Sequence, residues 1–255
     1  MVTELPFKSS MKIIGVIPAR AMSTRFPNKP LVIINGLPMI IHVAKKVELA
    51  LGNENTYVAT DDIIIRDTCI EYGFKAVLTS NTCKTGTDRI CEFAEIIDAD
   101  IYINIQGDEP LVSHRDILSI TEAKKMNPDK VVNGMCNLLE DDDPFDVNIP
   151  KILTAQNGDL IYASRAPIPA IKDKSLELPL YKKQVCIYGF NKKELTTFKA
   201  YSEKAYAEYY EDIEILRFLD AGIKVLMINI NESTIAVDVP EDVLKVEQFL
   251  EKLKK

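Results

Sequence analysis

Short apolar segments alternate with amphipathic ones along the first part of the chain. Residues 12–17 (KIIGVI) form an apolar run that stops at Pro18, which is typical of a strand buried on both faces. Residues 39–51 follow a polar loop and an Asn35-Gly36 turn, and they carry apolar side chains at helical spacing. The same alternation predicts strands at 56–59, 75–78 and 100–106 and helices at 61–72 and 89–97. Strands that alternate with helices pair in parallel through right-handed crossovers, so we predict a doubly wound α/β sheet.

The alternation changes beyond Asn127. Two strand-like runs, 151–155 and 160–164, flank an Asn-Gly-Asp turn and predict a hairpin. The further elements predicted here are strands at 131–139, 182–190 and 224–230, a helix at 209–221 and an amphipathic helix at 241–253. No long repeat is visible, and 255 residues suit one compact unit. We therefore predict a single domain over 1–255 with an inserted subregion at about 130–205.

Composition restricts the chemistry that this chain can use. The formal net charge of -7 disfavours a protein that binds nucleic acid through a basic face. With 5 cysteines that form no CxxC pair and only 2 histidines, a zinc site, a disulfide framework and a Ser-His-Asp arrangement are all disfavoured. The N-terminal residues do not resemble a secretion leader, and no apolar run is long enough to span a bilayer. We expect no nucleic acid partner, no membrane contact, a cytoplasmic location, and chemistry based on carboxylates, lysine and arginine.

The loop after the first strand, residues 18–31, is the first candidate site. In an open α/β sheet, ligands gather beyond the carboxyl ends of the strands. The loop holds three cations and two hydroxyls that could cradle a triphosphate: Arg20, Ser23, Thr24, Arg25 and Lys29. A basic surface loop is the alternative. The Walker and dinucleotide glycine patterns are both absent after this strand, so an ordinary P-loop enzyme and an NAD enzyme are disfavoured.

Two aspartates are candidate ligands of one hard cation. Asp108 follows the strand at 100–106 within the segment QGDEP, and Asp238 lies in VDVPED, between a predicted strand and a predicted helix. Either residue could simply form a turn or cap a helix. If both stand at the same edge of the sheet, their oxygens could share Mg²⁺.

Two further segments carry open alternatives. In TGTDR (85–89), Gly86 could admit a ligand while Thr87 contacts a base or ribose, or Thr87 could only cap a helix. In SRAP (164–167), Arg165 could bind an acidic substrate or form a surface salt bridge.

Seven segments together carry a family resemblance. In chain order they are PARAMSTRFPNKPL, VATDD, TGTDRI, NIQGDEPL, YASRAPIP, CIYGF and VDVPED. From about Lys12 onward the chain resembles the 3-deoxy-manno-octulosonate (Kdo) cytidylyltransferases, or CMP-Kdo synthetases. The resemblance implies a Rossmann-like nucleotidyltransferase core with a mostly parallel sheet and a smaller hairpin-containing region that makes a homodimer.

The resemblance also implies roles for individual residues. It assigns catalysis to Lys29, Arg20, Arg25 and Asp108, and Mg²⁺ binding to Asp108 and Asp238. Nucleotide-binding residues would be Ala19, Arg20, Ser23, Thr24, Arg25, Lys29, Thr60, Thr87, Arg89 and Gln106, of which Arg89 and Gln106 also map to the sugar side. Acceptor-binding residues would be Arg165, Gln184, Tyr188, Glu214 and Ile215.

The departures from the family pattern fall on the acceptor side. Gln184 stands where the family has a histidine, and Cys186 where it has a glycine. Ile215 stands where the family typically has a glutamine, so one amide that could bond a sugar hydroxyl is lost. The CTP half therefore matches the family while the acceptor half is altered.

We hypothesise that the acceptor oxygen attacks the α-phosphorus of CTP and expels pyrophosphate, with Mg²⁺ and the cations neutralising charge. One alternative keeps this chemistry with another acidic acceptor, such as 8-amino-Kdo, another ulosonic acid, a phosphonate or a phosphate. A second alternative is a nucleotide-binding protein without turnover. A glycosyltransferase would usually need a DxD-like motif, which Asp108-Glu109 does not supply. The sequence leaves the acceptor and the number of metal ions open.

Overall fold

The fold comes from a computed structural model that describes residues 11–22, 26–139, 142–173, 175–230 and 236–252. The strands within these ranges are β1 (Ile13–Ala19), β2 (Ile33–Ile34), β3 (Leu37–Pro38), β4 (Thr56–Thr60), β5 (Lys75–Leu78), β6 (Ile101–Ile105), β7 (Val131–Asn137), β8 (Lys151–Thr154), β9 (Leu160–Ser164), β10 (Lys182–Phe190) and β11 (Val225–Asn229). The α-helices are α1 (Met39–Leu51), α2 (Ile63–Glu71), α3 (Gly86–Ile96), α4 (His114–Met126), α5 (Lys192–Lys199), α6 (Tyr206–Glu211), α7 (Ile215–Asp220) and α8 (Pro240–Lys252).

The central sheet is mostly parallel and runs in the order β11-β7-β10-β6-β1-β4-β5. Strand β1 pairs in parallel with β4 and β6, β4 with β5, and β11 with β7. Strand β10 is antiparallel to both of its neighbours, β6 and β7. The hairpin β8–β9 joins the sheet through β10. The predicted fold class, a Rossmann-like nucleotidyltransferase core with a hairpin-containing region, is confirmed.

Helices cover both faces of the sheet, which is why its central strands are almost wholly apolar. One apolar cluster joins the sheet to α3, α5 and α7, with Phe93, Phe198 and Phe218 at its centre. The cluster on the other face joins it to α1, α2 and α4. A small third cluster packs Val246 of α8 near Met39. Within the described ranges, no helix is both long enough and apolar enough to cross a membrane.

Most of the predicted elements are confirmed. Helices α4 and α5 were not predicted. The single helix predicted at 209–221 is two helices, α6 and α7, because Asp212 adopts a left-handed conformation with φ 51° and ends the first of them. The Asn35-Gly36 turn, with φ of 45° and 83°, joins the short strands β2 and β3 as its sequence indicates.

Candidate active site

A cleft lies beyond the carboxyl ends of β1 and β6, where the sheet is expected to bind ligands. It has two chambers that share Gln106, Asp108, Asp212, Glu214 and Asp238. The first chamber adds the end of β1 and the segment before α3, and the second adds β10 and the end of β9. Gly107 allows the ends of β1 and β6 to lie close together, since a Cβ at this position would be 2.9 Å from Pro18 O.

Lys29 lies between the two predicted metal-binding aspartates. Its Nζ is 2.7 Å from Asp108 Oδ2 and 3.6 Å from Asp238 Oδ1. The backbone N–H of Val237 donates to Asp108 O at 3.0 Å and holds the two segments together. The structure therefore brings three candidate residues, far apart in sequence, to one point of the cleft.

A neighbour of Asp238 caps the helix that follows it. Asp242 Oδ2 accepts the backbone N–H groups of Asp238 and Val239 at 3.0 and 3.2 Å, so Asp242 caps the start of α8. Asp238 lies between a strand and a helix, as predicted, but not at the end of the strand. Residues 236–238 are not part of a strand, and β11 ends at Asn229.

The loop after β1 presents Arg20 and Lys29 to the first chamber. Arg20 is exposed and, like Ala19, lines the chamber. Asn28, in the left-handed region with φ 55°, donates its N–H to Ala21 O at 3.0 Å and so closes the loop before Lys29. The predicted phosphate-binding residues Ser23, Thr24 and Arg25 lie outside the described residues.

The segment TGTDR begins α3, and Thr85 is its cap. Thr85 Oγ1 accepts from Asp88 N while Asp88 Oδ2 accepts from Thr85 N, which is a capping box. Of the two alternatives for Thr87, the one in which it caps this helix is therefore wrong. Thr87 is 1% exposed and does not line the cleft. Gly86 gives room to Gln106, whose Nε2 would lie 2.9 Å from a Cβ at that position.

Glu214 faces the start of α3 from the opposite wall. Its carboxylate accepts the N–H groups of Gly86 at 3.1 Å and Thr87 at 2.8 Å, as an anion does at a helix N-terminus. Burial raises the pKa of Glu214 above its ordinary value of 4.5. Arg217, one turn further along, holds α7 in place through two bonds of 2.6 Å to Glu208 and one of 3.0 Å to Asp88.

Two other predicted nucleotide-binding residues form hydrogen bonds within the protein. Arg89 lines the first chamber, but its guanidinium donates to Thr79 Oγ1 at 2.6 Å and to Asp61 Oδ2 at 3.0 Å. Thr60 is 0% exposed, and its hydroxyl accepts from Asp62 N. The structure thus places Thr60, like Thr87, behind the cleft wall.

The second chamber collects most of the predicted acceptor residues. Gln184 and Tyr188 line it from β10, opposite Arg165. The Arg165 guanidinium donates to the carbonyl oxygens of Val147 at 2.7 Å, Asp212 at 3.1 Å and Glu211. Burial raises the pKa of Tyr188 well above 10.0, so this phenol remains a neutral donor.

Ile215 does not belong to this group. Its side chain is 0% exposed, packs in the apolar cluster under α7 and lines neither chamber. The prediction that it contacts the acceptor is therefore corrected. The helical periodicity of α7 points Glu214 at the cleft and its neighbour into the core.

Three lysines in the cleft were not predicted from the sequence. Lys84 and Lys204 line the first chamber, paired with Glu203 at 2.7 Å and with Asp212 at 2.5 Å. Lys183 lines the second chamber and pairs with Asp142 at 2.6 Å. Lys84 could have been noticed, since it directly precedes TGTDR. The other two carry no local signal.

Comparisons with known proteins agree with this geometry. The cytidylyltransferase family profile matches residues 14–228. A 3-deoxy-manno-octulosonate cytidylyltransferase of Myxococcus xanthus is 37% identical over 244 residues, covering 94% of this chain and 97% of the relative. The same enzyme of Escherichia coli is 34% identical over 239 residues, covering 94% and 96%. A solved structure of CMP:2-keto-3-deoxy-manno-octonic acid synthetase complexed with CTP superposes with a TM-score of 0.87 at 32% identity, covering 94% of this chain and 99% of that one. The chain therefore belongs to the cytidylyltransferase family, and within it to the 3-deoxy-manno-octulosonate cytidylyltransferases.

Proposed function

We propose that this cytidylyltransferase transfers CMP from CTP to Kdo and releases pyrophosphate. The observation that carries the proposal is the convergence of Lys29, Asp108 and Asp238 in a cleft whose fold matches a CTP-bound relative at 32% identity. The first chamber, with its several cations, suits a triphosphate. The second, with its mixture of donors and acceptors, suits a polyhydroxylated acid.

In the proposed reaction, the anomeric hydroxyl of the acceptor attacks the α-phosphorus of CTP. A new phosphorus–oxygen bond forms, the bond from the α-phosphorus to the bridging oxygen breaks, and pyrophosphate leaves with the electron pair. The proton of the attacking hydroxyl passes to water. Catalysis by this chain consists of positioning and charge neutralisation, with Arg20 and Lys29 facing the negative charge that develops on the phosphates.

The residues at the mouth of the first chamber fit a magnesium ion. Two carboxylates already face one cation, the Lys29 ammonium, and both offer the hard oxygen ligands that Mg²⁺ prefers. The described residues contain no group of three or more acidic, cysteine or histidine side chains that could hold a metal ion without the substrate. We therefore propose that Asp108 and Asp238 hold Mg²⁺ together with CTP phosphates, where the ion would neutralise phosphate charge.

A different acidic acceptor remains the second candidate, and the observation that favours it is Gln184. This amide lines the second chamber where the family has a histidine. An amide oxygen accepts hydrogen bonds and stays neutral at every pH, whereas a histidine can carry charge. The acceptor could therefore be an amino-substituted octulosonate, another ulosonic acid, a phosphonate or a phosphate.

We also propose that the protein is a homodimer. The segment around the β8–β9 hairpin exposes a group of large apolar side chains, each more than half exposed in the single chain: Leu139, Phe145, Val147, Ile161, Leu176, Leu178 and Leu180. Exposed apolar surface of this kind favours association. Light scattering on the eluting protein should give twice the chain mass, and Leu178→Asp with Leu180→Asp should shift it toward the monomer.

The cytoplasm is the compartment that we propose. All five cysteines are free, and three of them are buried. Unpaired thiols persist in reducing compartments, which supports this placement.

Pyrophosphate release by the purified protein with Mg²⁺ tests the function. CTP would be offered with Kdo, 8-amino-Kdo, other sugar acids and small phosphonates, with UTP and ATP as controls for the base. Turnover with CTP and Kdo supports the proposal. Turnover with CTP and another acceptor alone keeps the nucleotide chemistry and replaces the acceptor, and no turnover with any pair refutes both.

A further inference from the structure

Strand β10 carries a bulge at the wall of the second chamber. Val185 pairs with Gly134 and Tyr188 with Asn133. Gly134 and Asn133 are neighbours in β7, so Cys186 and Ile187 are two extra residues of β10 without a paired position in β7. A bulge re-aims side chains and interrupts the ladder of backbone hydrogen bonds. Gln184, Cys186 and Tyr188 alternate along this strand and all line the chamber.

Asn133 satisfies the carbonyl groups that this bulge frees. It is 0% exposed, and its Nδ2 donates to Val185 O at 2.8 Å and to Ile187 O at 2.9 Å. The remaining bulge carbonyl, Cys186 O, accepts from Gln106 N. Carbonyl oxygens only accept hydrogen bonds, so the amino group of Asn133 must face the bulge and its Oδ1 must face the other way.

The orientation of Gln184 follows from that of Asn133. Gln184 Nε2 lies 2.9 Å from Asn133 Oδ1, and only a donor can satisfy this buried oxygen. Nε2 is also 3.4 Å from the Tyr188 hydroxyl. The amino group of Gln184 is therefore engaged in the wall, which leaves Oε1 for the chamber.

We infer that Asn133 is a positioning residue for acceptor specificity, because it fixes the Gln184 amide with Oε1 facing the chamber as a hydrogen-bond acceptor. The group that Oε1 binds is an O–H or N–H of the acceptor substrate. The Tyr188 hydroxyl lies beside it and accepts from Gln184 Nε2. This inference rests on the proposed function. It adds to that function the hydrogen-bonding groups that one wall of the second chamber offers to the acceptor substrate.

Kinetics of three variants test the inference. Asn133→Ala should raise the KM for the acceptor about tenfold, the loss of one positioned hydrogen bond, and leave the KM for CTP unchanged. Gln184→Leu should likewise raise the KM for the acceptor and leave the KM for CTP unchanged. The double variant should be no worse than either single variant, because Asn133 acts on the acceptor only through Gln184.

A purely structural role for Asn133 predicts a different result. It would lower activity toward CTP and acceptor together, and its effect would add to that of Gln184→Leu. Either result would overturn the inference. The acceptor group itself is identified with analogues that lack one hydroxyl or replace it by an amine. The analogue without the bound group should lose affinity for the wild-type protein and not for Gln184→Leu.

A second measurement needs neither turnover nor a variant at Asn133. The Gln184 side-chain amide can be assigned in an NMR spectrum by its disappearance in Gln184→Leu. Slow hydrogen exchange of this amide in the wild-type protein is expected from its bond to Asn133 Oδ1, and exchange at the rate of an exposed glutamine would overturn the inference. A wild-type protein that releases no pyrophosphate would instead refute the proposed function and leave this measurement decisive for Asn133.

Discussion

Glu214 Oε2 accepts a hydrogen bond of 2.8 Å from the backbone N–H of Thr87, which joins the start of α7 to the start of α3 across the cleft. The carboxylate thus meets the positive end of a helix although it sits where burial opposes its charge. The burial of this carboxyl group is a cost in stability that a functional position can retain.

The pH dependence of stability should reveal this cost. Burial raises the pKa of Glu214 above 4.5, so the folded protein binds this proton more tightly than the unfolded chain. The contribution of the group to the free energy of unfolding is therefore largest below the unfolded pKa, and it is lost as the pH rises through the folded pKa. Glu214→Gln removes it, so the Tm of the variant relative to the wild type should rise with pH over that window. A constant difference from about pH 4 to about pH 8 would contradict the assignment.

Arg217 should matter to stability far more than an exposed cation. Arg217→Met leaves Glu208, which is 0% exposed, without its bidentate partner. We expect the free energy of unfolding to fall by about 3–5 kcal/mol in urea titrations. Lys199→Met is the matched control, because the Lys199–Glu95 pair is half exposed and should contribute no more than about 1 kcal/mol. Equal losses in the two variants would refute the distinction.

Asp108→Asn tests the carboxylate pair. The amide keeps the size of the side chain and removes the charge, so we expect kcat for pyrophosphate release to fall by at least about a hundredfold. The Tm should change little, because Asp108 is partly exposed, at 32% of its side chain. Asp98→Asn, an exposed aspartate paired with Lys192, controls for the loss of a carboxylate elsewhere. Near-normal turnover by Asp108→Asn would remove Asp108 from the machinery.

Lys29 should tolerate neither removal nor exchange for arginine. Lys29→Met leaves two carboxylates facing each other without the ammonium, and we expect the KM for CTP to rise about tenfold or more with a lower kcat. Lys29→Arg keeps the charge, but its planar group does not fit a point between two carboxylates, so it should restore only part of the activity. If Lys29→Met binds CTP normally in titration calorimetry, the lysine serves only to neutralise the aspartates.

The sequence predicts the elements that periodicity and local end signals define. Helix α1 has the predicted bounds, because Pro38 and Gly52 mark its ends and its apolar face is regular. Helix α4 was not predicted, although Ser113 caps it and Ile117 and Ile120 carry its buried face. The signal was present in weak form, since polar residues dominate that stretch.

Long-range pairing is the part that local patterns cannot supply. No residue near Asn133 indicates that its amide will complete a bulge in a strand some fifty positions later. Ile215 was placed at the acceptor by motif correspondence alone, and the packing of α7 under the sheet decides otherwise. The charged pairs of Lys183 and Lys204 likewise depend on the fold to bring them to the cleft.

The position of β10 between β6 and β7 has a consequence for the order of folding. In the described part of the chain, β10 is the strand that joins the β7–β11 pair to the rest of the central sheet. Until it inserts, the two parts of the sheet have no backbone pairing with each other, and that pairing must wait for a segment distant in sequence. Gln184 and Tyr188 lie on this same strand, so the acceptor wall forms in the step that unites the halves. A partly opened state that loses β10 would lose acceptor recognition first, while β1 and β6 could still hold the nucleotide end of the cleft.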